Sequence, residues 1–134
     1  MPGLMRRPLT IAAALLAAAG LALAPAMGLA AKTKSVGVHD DYYAPTKVKV
    51  KKNAKVKFKW DKINLNPHNV TLKKGPKGVK KSKPCTHGKI TKCNKSGTGA
   101  IGIKFTPTFN KPGTYNFICT IHPTTMKMKV VVKK

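Results

Sequence analysis

A chain of 134 residues with 25 lysines and two arginines against three aspartates, and no glutamate, carries a net charge of +24; it is long enough for one small domain and too short for two. The charge invites nucleic acid as a partner, but both arginines stand at the extreme N-terminus. Readers of phosphate and bases rely on arginine's bidentate fork and on aromatic platforms, so no nucleic-acid role is expected, and Asp40, Asp41 and Asp61 are not spaced as a general acid and base, so no enzyme is expected either.

At the N-terminus, Arg6 and Arg7 precede the uncharged run LTIAAALLAAAGLALA, followed by Pro25 and then Gly28-Leu29-Ala30, small residues where a signal peptidase reads. Residues 1–30 are read as a signal peptide and 31–134 as the mature domain, exported to the periplasm, the cell surface or the medium. An uncleaved anchor is the alternative, because residues 9–31 are just long enough to span a bilayer. The arginine pair is only a faint twin-arginine signal.

From Val36 onward apolar and charged residues alternate. Lys47-Val48-Lys49-Val50-Lys51 and Lys55-Val56-Lys57-Phe58-Lys59-Trp60 have the period of two that marks half-buried strands. Lys52-Asn53-Ala54 between them is short enough for a hairpin turn, which would set Lys47, Lys49 and Lys51 beside Lys55, Lys57 and Lys59. Further strands are expected at 36–39, 69–73, 101–106, 114–119 and 127–133, seven in all. With no amphipathic helix in the mature chain, the fold class is all-β, an antiparallel sandwich of two sheets. In 114–119, Tyr115, Phe117 and Cys119 share the inward face, and Pro112-Gly113 supplies the preceding turn.

Residues 73–99 carry nine lysines and little to bury, and are read as a long basic loop, unusual unless tied down or functional. Three cysteines in an oxidising compartment suggest one disulfide and one retained thiol. Cys85 and Cys93 are the nearer pair, which leaves Cys119 over. A metal site built from Cys85, His87 and Cys93 is the weaker alternative, and His39 is read as a strand-edge histidine.

Cys119, His122 and Met126 place a thiolate, an imidazole and a thioether within eight residues. They are donors of graded softness and need one more nitrogen to complete a copper site, which His68, at the start of a strand, can supply. Two imidazoles and a thiolate with a weak axial thioether suit both Cu(I) and Cu(II), so the frame changes little when one electron arrives. Zinc rarely recruits methionine. Each residue alone has a plainer reading, as a strand-end histidine, a buried small hydrophobe or a core-filling methionine; the four together favour a metal.

The segments Asp41-Tyr42-Tyr43-Ala44-Pro45, Pro67-His68-Asn69-Val70, Gly113-Thr114-Tyr115-Asn116-Phe117 and the run from Cys119 to Val132 resemble the cupredoxins, the blue copper proteins, closest to the plastocyanin and amicyanin type. The resemblance covers most of 36–134 outside the basic loop. It implies a Greek-key β-sandwich, His68, Cys119 and His122 as equatorial ligands of one copper ion, and Met126 as the axial ligand in preference to Met128. It also implies that Asn69 ties the two ligand loops together through Thr120 and the Cys119 sulfur. The x3 spacing between His122 and Met126 departs from the x2 and x4 forms of those relatives, and Met128 stands where they often have glycine.

The expected function is a monomeric, exported one-electron carrier, exchanging electrons through His122 beside an apolar patch of Leu65, Pro67 and Pro123. Two alternatives are a copper carrier or buffer that hands the ion to an exported partner, and a metal-free basic adhesion module. Without the leader, 25 lysines oppose three aspartates, for a net charge of +22. That field suits an acidic redox partner, anionic lipid headgroups or cell-surface polymers.

Overall fold

The computed structural model describes residues 32–134 and the isolated Gly20; the expected signal peptide otherwise lies outside the described residues. Among the described residues nine strands follow one another: β1 (Lys34–His39), β2 (Tyr42–Ala44), β3 (Lys47–Lys51), β4 (Val56–Trp60), β5 (Thr71–Lys74), β6 (His87–Lys89), β7 (Lys104–Thr108), β8 (Gly113–Ile118) and β9 (Lys127–Lys133). They form a five-stranded sheet in the order β2-β1-β4-β7-β6 and a four-stranded sheet in the order β3-β9-β8-β5, the expected Greek-key sandwich. No helix among the described residues is long and apolar enough to cross a membrane.

The two strands beyond the expected seven, β2 and β6, have three residues each, too few to display a period. Pairing is mixed rather than antiparallel throughout: β1 lies parallel to β4, β3 to β9 and β6 to β7. The expected hairpin at Lys52–Ala54 is absent, and the chain crosses there between the sheets. The Lys52 amide bonds to the Lys133 carbonyl of one sheet (2.9 Å), while Asn53, at φ 69°, and Ala54 exchange bonds with Phe109 beside the other (2.8 Å each). Lys47 and Lys51 therefore oppose Lys129 and Lys133, and Lys59 opposes Lys104. Like charges directly opposite still cost tenths of a kcal/mol to about 1 kcal/mol each, but the partners are not the expected ones.

The alternating residues do what their period demands. Valines 36, 38, 48, 50, 56, 130 and 132 point into a shared core, while the lysines between them are exposed. At its centre Phe58 meets Phe117 edge-on, with ring centroids 5.8 Å apart, and Phe109 meets Tyr115 at 5.1 Å. Each such ring removed from water contributes roughly 1.5–3 kcal/mol. Burial pushes the Tyr115 hydroxyl up to about 12. The turn before β8 needs glycine, since Gly113 has φ 136° and a Cβ there would lie 2.5 Å from Pro76.

Residues 73–99 are not the loop that their composition suggests. Ile90, Cys93, Asn94 and Ser96 are buried, and Cys85 is bonded to Cys93. That bond excludes the alternative metal site around His87, which is exposed. The second half of the excursion returns along β5: the Leu72 amide donates to Asn94 O (3.0 Å) and the Ser96 amide to Val70 O (2.9 Å). Ser96 Oγ also receives the Val70 amide at 2.8 Å.

Candidate metal centre

The inward alternation of β8 places Tyr115, Phe117 and Cys119 fully out of solvent, and Cys119 is the free cysteine. Beyond it the chain folds into a compact loop. The Cys119 amide donates to Met126 O (3.1 Å), the His122 amide to Cys119 O (3.2 Å) and the Met126 amide to His122 O (2.9 Å). This coil brings His122 Nδ1 to 3.8 Å from Cys119 Sγ.

His68 comes from the other side, just before β5. Its main chain is clamped to Gly99 by reciprocal bonds of 3.0 and 3.1 Å, and the Trp60 indole donates to Gly99 O at 3.1 Å. The donor atoms of His68, Cys119 and His122 all lie within 4.8 Å of one another. The structure thus brings three of the four sequence-predicted residues to one point. Met126 is fully buried at the close of the same loop, whereas Met128 sits within β9, opposite Phe117 and turned into the core.

The two loops are tied by Asn69. Its side chain accepts the Thr120 amide (3.0 Å) and donates to Thr120 Oγ1 (2.7 Å) and Thr98 Oγ1 (3.1 Å), while its own amide points at Cys119 Sγ at 3.5 Å. This is the role that the sequence resemblance implies for Asn69, with Thr98 of the basic excursion as an added partner. Tyr43 donates its hydroxyl to Asn69 O (2.5 Å); burial chiefly, with the Cys119 charge behind it, holds that hydroxyl far above its ordinary pKa.

The aspartates went unassigned in the sequence, and all three lie on histidines. Asp40 Oδ1 is 2.8 Å from His68 Nε2, Asp41 Oδ1 is 3.3 Å from His122 Nε2, and Asp61 Oδ2 is 2.9 Å from His39 Nδ1. Asp61 also accepts the Ile63 amide, and that bond, then His39, lowers its pKa. Asp40 is lowered to about 2, first by the Leu65 amide and then by His68. No signal short of the fold itself relates residues 28 positions apart.

With both aspartate contacts on Nε2, the two histidines of the cluster turn Nδ1 inward. His68 Nδ1 is buried without a hydrogen-bond partner, and an orphaned buried polar atom costs about 1–3 kcal/mol. A nitrogen lone pair beside a buried thiol and a second imidazole is a donor set for a borderline-to-soft metal ion.

Residues 31–133 match the model of the copper binding proteins of the plastocyanin/azurin family. The chain belongs to that family. Its cofactor is copper, which the cluster of two imidazoles and one thiol fits. Amicyanin-alpha of Methylorubrum extorquens is 40% identical to this cupredoxin over 74 residues, 55% of this chain and 51% of that protein, so the match spans about half the length of that relative. The crystal structure of amicyanin from Paracoccus versutus superposes with a TM-score of 0.56 at 25% identity, covering 76% of this chain and 82% of that one. A copper-containing nitrite reductase from Thermus scotoductus gives 0.56 at 22% identity over 77% of this chain, but only 23% of the reductase, a likeness of fold alone.

Proposed function

We propose that this cupredoxin is an exported blue copper protein that carries single electrons, with His68 Nδ1, Cys119 Sγ and His122 Nδ1 as equatorial ligands and Met126 as the axial one. The observation that carries the reading is the orphaned, buried His68 Nδ1 within 4.8 Å of a buried thiol and a second imidazole. Bound copper supplies a one-electron couple. The protein's part is to hold the donors in one arrangement for both oxidation states: Asn69 ties the two loops together, and the full burial of Cys119 restrains its sulfur. His122 is the ligand with an exposed edge, its side chain 26% accessible. Leu65, Ile121, Pro67 and Pro123 are exposed around that end, a surface suited to brief docking. Export is supported by residues 1–30 of the sequence, and monomeric behaviour by the self-repelling charge.

The purified protein with one equivalent of Cu(II) should develop an intense visible thiolate-to-copper band that bleaches and returns reversibly with one electron. A colourless protein that holds only Cu(I) and passes it on would instead favour the copper-delivery reading. Membership of a copper-binding family leaves the metal-free adhesion reading without support.

The partner is proposed to be acidic. Lysines cover the outer faces of both sheets, while the three carboxylates are spent on histidines, so an electronegative surface would be drawn in from a distance. The rate of electron exchange with an acidic redox protein should fall steeply as ionic strength rises from 10 to 300 mM, the Debye length shrinking from about 30 Å to below 8 Å; a flat profile would remove the electrostatic reading.

A further inference from the structure

The hairpin tip between β1 and β2 carries a carboxylate that does more than bound a turn. Asp40 Oδ2 accepts the Leu65 amide (2.9 Å), and Oδ1 accepts the Asn66 amide (3.1 Å) and faces His68 Nε2 (2.8 Å). Two main-chain donors from the loop leading to His68 therefore fix the carboxylate before the imidazole meets it. A carboxylate in this setting only accepts, so the proton of the bond resides on Nε2. In the neutral ring this leaves Nδ1 as the lone-pair nitrogen, and that atom is buried and unpartnered, within 4.8 Å of the donor atoms of Cys119 and His122.

From this geometry we propose that Asp40 is a positioning residue that acts through His68: it fixes the imidazole as the Nε2–H tautomer and, by its negative charge, biases the centre toward the more highly charged oxidation state. The proposal rests on the reading of His68 as a copper ligand. An acceptor on the far nitrogen of a metal-bound imidazole orients the ring and raises its basicity, and here that acceptor carries a full charge. Asp41 makes a longer contact to His122 from a side chain that is 60% exposed, where water screens it, so the two histidines are held unequally. Asp61 provides an internal control. It has the same charge and belongs to the same end of the molecule, but its partner is His39, outside the cluster.

The test has two arms. In the metal-free protein at neutral pH, nitrogen NMR of the His68 ring should show a single Nε2–H tautomer in the wild type and in Asp40→Asn, whose amide oxygen still accepts. In Asp40→Ala the tautomers should mix. In the copper-loaded protein, Asp40→Asn should shift the balance toward Cu(I) by about tenfold, which is about 59 mV upward in potential for one electron, while Asp61→Asn should move it less than half as far. The proposal is overturned if Asp40→Ala keeps the wild-type tautomer, if Asp40→Asn leaves the potential unchanged, or if Asp61→Asn shifts it equally, since the cause would then be net charge alone. A wild-type protein that takes up no copper would refute the ligand assignment instead, and the tautomer arm, read without metal, would still decide whether Asp40 orients the ring.

Discussion

Cys119→Ser should give a folded protein that lacks the intense thiolate-to-copper band. Cys119 is fully buried, and Cys85 and Cys93 are bonded to each other, so no second thiol among the described residues can take its place. A serine hydroxyl is a hard, weakly acidic donor, so Cu(I) loses the soft partner that distinguishes this site from a pair of imidazoles. The fold should survive. The substitution removes little volume, and the Asn69 amide that now points at the sulfur remains near the new oxygen; a buried hydroxyl with incomplete hydrogen bonding costs about 1–3 kcal/mol. Visible absorption after copper addition, alongside far-ultraviolet circular dichroism and a thermal melt, separates the two effects. Retention of the band in a protein carrying serine at this position would refute the thiolate ligand.

Phe117→Ala should cost the fold about 3–5 kcal/mol, the range for deleting a fully buried ring from a packed core. Phe117 is wholly inaccessible and packs edge-on against Phe58 (5.8 Å) and Phe109 (6.3 Å). Phe58 lies in β4 and Phe109 just after β7, on the five-stranded side, while Phe117 is in β8 of the other sheet, so the gap would open between the two sheets. In a domain of this size each kcal/mol shifts the melting midpoint by roughly 4–8 °C, so the variant should melt at least 12 °C below the wild type. Urea unfolding should show a lower midpoint with the slope retained. A loss under 1 kcal/mol would mean that the sandwich relaxes around the gap. Because Phe117 is two residues before Cys119 on the same face, the copper spectrum of this variant should also broaden.

How far the sequence could be read depends on what each residue type reveals. Alternation of lysine and valine reports which side of a strand is buried, so the faces of β3, β4, β8 and β9 were legible. It does not report which strand lies alongside, and the hairpin expected at Lys52–Ala54 is a crossing between sheets for that reason. The donor residues were legible because few roles call for a thiol, an imidazole and a thioether so close together. Their supports were not. Asp40, Thr98 and Gly99 meet His68 or Asn69 only after the chain has folded, and Ser96 and Asn94 were hidden by the lysines around them in a segment whose composition reads as solvent-exposed loop.

The returning segment has an effect beyond the centre it braces. β5 is the outermost strand of the four-stranded sheet, and hydrogen bonds from residues 94–96 run along the flank that would otherwise be free. The opposite border, β3, presents lysine at every second position, and the borders of the other sheet are strands of only three residues. Unpaired main chain at a sheet border is a template for joining one molecule to the next. With every border among the described residues stitched, charged or cut short, little free main chain is left for one molecule to add to the next.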